Sequence, residues 1–250
     1  MIENTEAFVL HSRKYGETSK IVEVYGKTSG KISLIAKGAR KAKSKFGATL
    51  NPGARISINY YYKKTRNLHL LSSSDLVNSY RSIYEDFDKL TAAYSALEAV
   101  LYTQQTEEVN EELYELVGES LELIDGETDR GAFSVLFAFL LRFVAMLGFA
   151  IDLSVSLPSG KDNAYFSLES GILIEGDEEE AKDFFKISSE AYLTLQEISS
   201  SSSEEFARLK INQNLISEIH NFFVNYLSYH LDKRIVFKSM KLWKSLSEFD

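Results

Sequence analysis

The sequence predicts an α+β protein: a small five-stranded β-barrel over residues 1–80, then an α-helical domain over 81–250 that a short β-hairpin insertion interrupts at 152–177. Three observations carry this prediction. Apolar residues alternate with polar ones at period two through the first 80 residues, and they recur at helical spacing after Ser82. Glycine-containing turn signals separate the early runs. The charge also changes sign at the same point: residues 1–80 hold 14 Lys and Arg against 5 Asp and Glu, a net +9, whereas residues 81–250 hold 14 against 31, a net −17.

The strands follow in order. Ala7-Phe8-Val9-Leu10 is one apolar run and Ile21-Val22-Glu23-Val24-Tyr25 is a β-branched one. Ile32, Leu34 and Ala36 alternate with Ser33, Ile35 and Lys37; Ile56, Ile58, Tyr60 and Tyr62 alternate with Ser57, Asn59, Tyr61 and Lys63; Leu68 and Leu70 flank His69. Tyr15-Gly16, Ser29-Gly30 and Asn51-Pro52-Gly53 mark turns, and one long connection runs from Gly38 to Gly53. Five strands in this length suit an OB-type barrel, with an SH3-like barrel as the alternative that periodicity leaves open.

The helices are read from apolar spacing. Leu90 to Leu101 and Leu113 to Ile124 give two, and Asp129 is placed to cap a third that carries Phe133, Leu136, Phe137, Leu140, Leu141 and Val144 inward. The apolar stretch Ala132 to Ile151 contains Ser134, Arg142 and Gly148, so it reads as a buried helix and not as a bilayer span. After the insertion, helices are expected to resume near Glu178, and Leu209 to Leu227 gives the last long one. Ser199 to Ser203 reads as a solvated linker.

Composition narrows function. At 44% hydrophobic and 26% charged the chain can bury a core and is not a disordered segment. It has no cysteine, which excludes disulfides, cysteine nucleophiles and thiolate zinc sites and fits a reducing, cytoplasmic setting. The N-terminus lacks the basic-then-apolar pattern of a signal peptide. His11, His69, His220 and His230 lack metal-ligand spacing, and phosphate-loop, dinucleotide and nucleophile-elbow motifs are absent, so no catalytic residue, metal or cofactor is expected.

The informative stretch is Lys37-Gly38-Ala39-Arg40-Lys41-Ala42-Lys43-Ser44-Lys45-Phe46-Gly47. It holds five cations in nine positions, and no acid occurs between Lys27 and Asp75. Small residues between the cations allow the backbone close to a phosphate. Arg13, Lys14, Lys20, Lys31, Lys63, Lys64 and Arg66 come from other strand ends and can surround the same groove. Tyr60, Tyr61, Tyr62 and Phe46 offer rings for base stacking, although alternation requires either Tyr60 and Tyr62 or Tyr61 to face the core. The reading is nucleic-acid binding; an RNA-binding module or a protein-docking scaffold is the alternative.

These residues resemble the N-terminal domain of the RecO family of bacterial DNA repair and recombination-mediator proteins. The resemblance is carried by Gly16, Glu17, Ile21 and Val22, then Gly30, Lys31, Ile32, Ala36 to Lys41 and Ser44. It continues in LLRFVAMLGFAIDL and LDKRIVFKSMKLW. Many family members carry two C-x-x-C pairs in the insertion. Here Ser156 and Ser159 stand at the first pair, and the second would fall near Ile174 and Asp177, so zinc is not expected. The hairpin is expected to hold by packing of Tyr165, Phe166, Ile172 and Leu173.

The resemblance implies binding of single- and double-stranded DNA, annealing of complementary strands, and docking on RecR and on the acidic C-terminal tail of single-strand-binding protein. It implies help in RecA loading, with or without RecF. For the tail, Lys233, Arg234, Lys238, Lys241 and Lys244 lie within twelve positions among Val236, Phe237, Leu242 and Trp243. Arg234, Lys238, Lys241 and Trp243 are the expected partner-binding residues.

Overall fold

The computed structural model describes residues 1–47, 49–126, 131–157, 162–174 and 184–247. They form two compact units, Met1–Glu85 with Ala96–Glu122, and Asp86–Ser95 with Leu123–Asp250.

The first unit is built on a closed barrel of β1 (Ile2–Tyr15), β2 (Ser19–Gly26), β3 (Gly30–Ala36), β4 (Arg55–Tyr61) and β5 (Leu68–Asn78), in the order β1-β2-β3-β5-β4. The strand pairs are antiparallel except β3 with β5, which run parallel with Leu34 opposite His69. This Greek-key closure is that of an OB barrel, and it decides against the SH3-like alternative. The strands are strongly staggered. Following the pairing from Arg13 through Ile21, Ile35, Leu70 and Tyr61 returns to β1 at Ile2, eleven positions back along the strand. A stagger of this size tilts the strands and leaves an interior filled by side chains.

Period-two alternation supplies that interior: Val22, Val24, Ile32, Leu34, Ile56, Ile58, Tyr60 and Leu71 are all buried within it. Phe46, Leu50 and Ala54 of the long connection join the same core. In β1 the alternation fails, since Ala7, Phe8, Val9 and Leu10 are all buried. The outer face is covered too. Helix α1 (Phe87–Thr103) gives its second half to this unit, and α2 (Glu111–Gly126) gives most of its length. Tyr114 of α2 lies 4.8 Å from the Phe8 ring, and the Tyr25 hydroxyl donates to the Asn110 carbonyl at 3.3 Å. Burial pushes the Tyr25 phenol up to about 12.

The charges of the covering helix match the barrel. Lys27 pairs with Glu111 at 3.0 Å and with Glu115 at 2.8 Å, and Arg55 pairs with Glu6 at 2.9 Å and with Glu122 at 4.0 Å. Glu115 and Glu111 raise the Lys27 ammonium above its ordinary value. Gly30 takes φ +61, and a Cβ there would meet the Glu108 carbonyl oxygen at 2.2 Å. The glycine thus lets the 104–110 segment lie against β3, where Glu107 donates its N–H to the Lys31 carbonyl at 2.9 Å.

In the second unit, α3 (Gly131–Met146) is buried along most of its length, including Phe133, Phe137, Leu140 and Phe143. This is the buried helix expected from its apolar run; no helix among the described residues is long and apolar enough to cross a membrane. Helices α4 (Ser189–Ser200), α5 (Ser203–Phe206) and α6 (Gln213–His230) pack on it, and α7 (Lys238–Ser247) ends the described chain. Ser134 is buried on α3, and its hydroxyl donates to the Leu209 carbonyl at 2.6 Å, which satisfies it.

Two expectations about the insertion are corrected. Strand β6 (Asn163–Ser167) pairs with β7 (Phe184–Ser188), a segment that the sequence placed in a resumed helix. The segment 172–174 makes only a bridge, Phe166 to Leu173, with Ile174 donating to the Tyr165 carbonyl at 2.7 Å. Phe166 is fully buried against Tyr192 and Phe222, but Ile172 is 46% exposed. The expected cap Asp129, the turn residues Pro158 and Gly160, and Ser159, Asp177 and Glu178 lie outside the described residues.

Candidate nucleic-acid interface

The long connection between β3 and β4 is fastened at several points, and this fixes where its cations stand. Arg40 donates its backbone N–H to the Thr18 carbonyl and its Nη1 to the Gly16 carbonyl, both at 2.9 Å, so the loop lies on the β1–β2 turn. Lys45 reaches the Ser72 carbonyl on β5 and sits 5.2 Å from the Phe46 ring centroid. Phe46 is buried in the barrel mouth at 2% exposure. Ser44 donates its N–H to the Lys41 carbonyl at 3.0 Å and accepts from the Phe46 N–H at 3.2 Å, which turns the chain between the two anchors. Lys37, Lys41 and Lys43 are left exposed.

Strand register places further cations beside them. Arg13 and Lys14 end β1, and Lys14 lies directly opposite Lys20 of β2, with Lys20 in turn opposite Ala36 at the end of β3. Like charges placed opposite one another across strands are unfavourable. Among the described residues, no acid forms an ion pair with Arg13, Lys14, Lys20, Lys37, Lys41 or Lys43. One mouth of the barrel therefore gathers Arg13, Lys14, Lys20, Lys37, Arg40, Lys41 and Lys43, with Lys45 beside them.

Lys63, Lys64 and Arg66 are placed in the β4–β5 turn, and all three are exposed. The barrel's stagger decides where that turn lies. It enters β5 at Leu68, opposite Ser33, which is three residues before the end of β3 or about 10 Å along the strand. These cations therefore flank the β2–β3 face at its middle, apart from the mouth. OB barrels bind strands across that face and between those two turns. Lys31 is set apart from all of these, because its Nζ donates to the Leu101 carbonyl at the end of α1, at 2.8 Å.

Three of the four rings proposed for stacking are engaged elsewhere. Phe46 and Tyr60 are core residues, with the Tyr60 hydroxyl 3.0 Å from Glu3; burial first and that carboxylate second raise its phenol well above the ordinary range. Tyr62 is half-buried beside His69, with its hydroxyl 3.2 Å from Glu107. Tyr61 alone is exposed, at 44%. Alternation leaves either Tyr60 with Tyr62, or Tyr61, facing the core, and the register settles it in favour of the first. Tyr15 is a ring that the sequence reasoning missed: it is 49% exposed beside the β1–β2 turn. Its position between Lys14 and Gly16 was the available signal.

The C-terminal cations divide in the same way. Arg234, Lys238 and Lys241 are exposed, and Arg234 and Lys241 line a groove of about 960 Å³ in the second unit, together with Val236 and Phe237. Trp243 does not present a ring for a partner, which corrects that expectation. It is 4% exposed, its indole N–H donates to Asp88 at 2.6 Å, and its ring meets the Phe133 ring edge-on at 5.0 Å. Among the described residues no group of three His, Asp or Glu could hold a metal ion.

The sequence matches two family models, Recombination protein O N terminal over residues 1–80 and Recombination protein O C terminal over residues 84–239. Among curated relatives, the DNA repair protein RecO of Alkaliphilus metalliredigens is 28% identical over 250 residues, covering 98% of this chain and 100% of the relative. That of Chloroherpeton thalassium is 25% identical, covering 98% and 99%. That of Chlorobaculum parvum is 39% identical over 149 residues, 60% of this chain and 57% of the relative.

Proposed function

The chain belongs to the recombination protein O family of DNA repair proteins, and from that premise and the cations of its barrel we propose that it is a non-enzymatic DNA-binding mediator. It binds single- and double-stranded DNA and anneals complementary strands. The observation that carries the reading is the cluster at the barrel mouth, where Lys14 faces Lys20 and neither has an anionic partner among the described residues. Phosphates relieve this repulsion, and a cation cluster that touches only backbone has no need of a particular sequence. Two strands brought to one basic surface lose part of their mutual repulsion, so annealing needs no catalytic group. Lys63, Lys64 and Arg66 extend the path along the β2–β3 face, and Tyr61 and Tyr15 supply the stacking surfaces.

The acidic tail of single-strand-binding protein docks on the second unit at the groove beside Arg234 and Lys241, while Lys238 steers its approach. RecR is the second protein partner, RecA loading is the outcome, and RecF acts indirectly. The setting is the bacterial cytoplasm, at the nucleoid. The test is annealing of complementary strands coated with single-strand-binding protein, intact or lacking its acidic tail. Annealing should be fast on the intact coat and slow on the truncated one. Equal rates would remove the tail from the mechanism, and no annealing on either coat or on naked DNA would refute the mediator reading.

A further inference from the structure

The outer surface of the barrel carries a continuous apolar row, and strand register builds it. Ile2 of β1 lies opposite Tyr61 of β4, Tyr61 opposite Leu70 of β5, and Leu70 opposite Ile35 of β3. Residues directly opposite one another share a face of the sheet. Their chain neighbours Tyr60, Leu71 and Leu34 fill the core, so the row points outward. Ile2 is 60% exposed and Tyr61 is 44% exposed, while Leu70 and Ile35 are half-buried. On β2 the row ends, because Ile21, opposite Ile35, is buried. Single apolar residues on a surface are ordinary, but contiguous ones mark a contact surface.

Cations run along both margins of the row. Lys37 comes two positions after Ile35, about 7 Å along the strand direction. Lys45 reaches the Ser72 carbonyl, two positions after Leu70. On the other margin the β4–β5 turn, between Tyr61 and Leu68, carries Lys63, Lys64 and Arg66, all exposed. The acid on that side, Glu23 opposite Ser33, lies 3.8 Å from His11. An apolar floor between two cationic margins complements a polyanion that also has apolar faces. A single strand of DNA has that form, because its unpaired bases present flat faces that a side chain can cover. In a duplex those faces are stacked on one another, and only backbone and groove edges meet a protein.

We infer that the row Ile2–Tyr61–Leu70–Ile35 distinguishes single-stranded from double-stranded DNA: the bases of a single strand lie on it, whereas a duplex meets only the cations beside it. The inference rests on the reading that the barrel binds DNA, and it adds the group that tells the two forms apart. Cations that touch phosphate hold both forms, with no regard to whether the bases are paired. The row contributes to the single strand alone. When two complementary strands pair, their bases leave the row, and its share of the affinity is lost. Pairing therefore favours release of the annealed product.

The experiment is titration of the full-length protein with an oligonucleotide and with the duplex of the same sequence, at several salt concentrations. Tyr61→Ser with Leu70→Thr should weaken single-strand binding about tenfold and duplex binding by less than about twofold. The salt dependence of both should match that of the parent, because no cation has been removed. Tyr61→Phe with Leu70→Ile keeps the row apolar and should bind both forms as the parent does. Tyr61→Ser alone, at an exposed position, should show the same selective loss in smaller measure, and it decides the matter if the double variant fails to fold. Loss of both forms by an equal factor in Tyr61→Ser, or a shallower salt dependence, would overturn the discrimination. Unchanged binding of both forms would clear the row of DNA and leave it to a protein partner, overturning the inference while the DNA-binding reading stands. A parent protein that binds neither form at low salt would remove that reading and the inference with it.

Discussion

Lys43 and Phe46 are three positions apart and do opposite work. The first is exposed at the barrel mouth and the second is buried inside it. Phe46→Ala should therefore cost about 3–5 kcal/mol of stability, read as a shifted denaturation midpoint. Lys37, Lys41 and Lys43 changed together to Ala should leave the midpoint within about 0.5 kcal/mol. That triple variant should instead weaken DNA binding for all sequences alike, with a salt dependence shallower by roughly 0.7 to 0.9 for each phosphate no longer neutralised. An unchanged salt slope would show that these lysines face no phosphate. At this scale the sequence was legible for charge and not for rings. A cation in an acid-free loop is nearly always solvated, so Lys41 and Lys43 could be placed at once. An aromatic side chain suits a core and a base stack equally, and only tertiary packing distinguishes Phe46 and Trp243 from Tyr61.

Strands were legible where one face is core and the other is not. β3 and β4 alternate cleanly, and their register follows. β7 was not legible. Phe184-Phe185-Lys186-Ile187-Ser188 is five residues long, and only pairing with β6 makes it a strand. Runs this short fit a helix start as well as a strand, and α4, which follows directly at Ser189, draws the reading towards helix. Close approaches between elements are equally hidden. Gly30 reads as a turn glycine, yet its missing side chain also leaves room for the Glu108 backbone. Gly30→Ala should destabilise by more than about 1 kcal/mol, since it combines a left-handed backbone with a clash against main chain. Hydrogen exchange should report the damage first at Glu107, whose N–H bond to the Lys31 carbonyl would break. Exchange at Glu107 as slow as in the parent would show that the segment accommodates the methyl group.

At the scale of the whole chain, the change of charge and the change of periodicity both fall near residue 80, and the two family matches divide there as well. The compact unit around the barrel nevertheless reaches to Glu122, because Tyr114, Asn110 and three glutamates of the 110–122 region complete it. Those glutamates sit in the acidic part of the sequence and pair with Lys27 and Arg55, two barrel cations outside the cluster at the mouth. A fragment of residues 1–126 should melt cooperatively, whereas residues 1–80 alone should bind an apolar dye and melt broadly, with Phe8 and Tyr25 uncovered. Equal, sharp transitions in both fragments would show that the cover adds nothing to the barrel's stability.

That cover has a consequence during synthesis. The last barrel strand ends at Asn78 and α2 at Gly126, so the ribosome delivers the one about fifty residues before the other is complete, which at 5–20 residues per second is a delay of roughly 2–10 s. Throughout that interval the nascent barrel carries its full positive charge, together with an uncovered apolar flank. A newly made chain next to messenger and ribosomal RNA is then at its most adhesive, and arrival of Glu111, Glu115 and Glu122 both closes the flank and cancels the two cations nearest to it. The acidic helix thus ends the exposure of that flank, while the cations at the barrel mouth keep their charge.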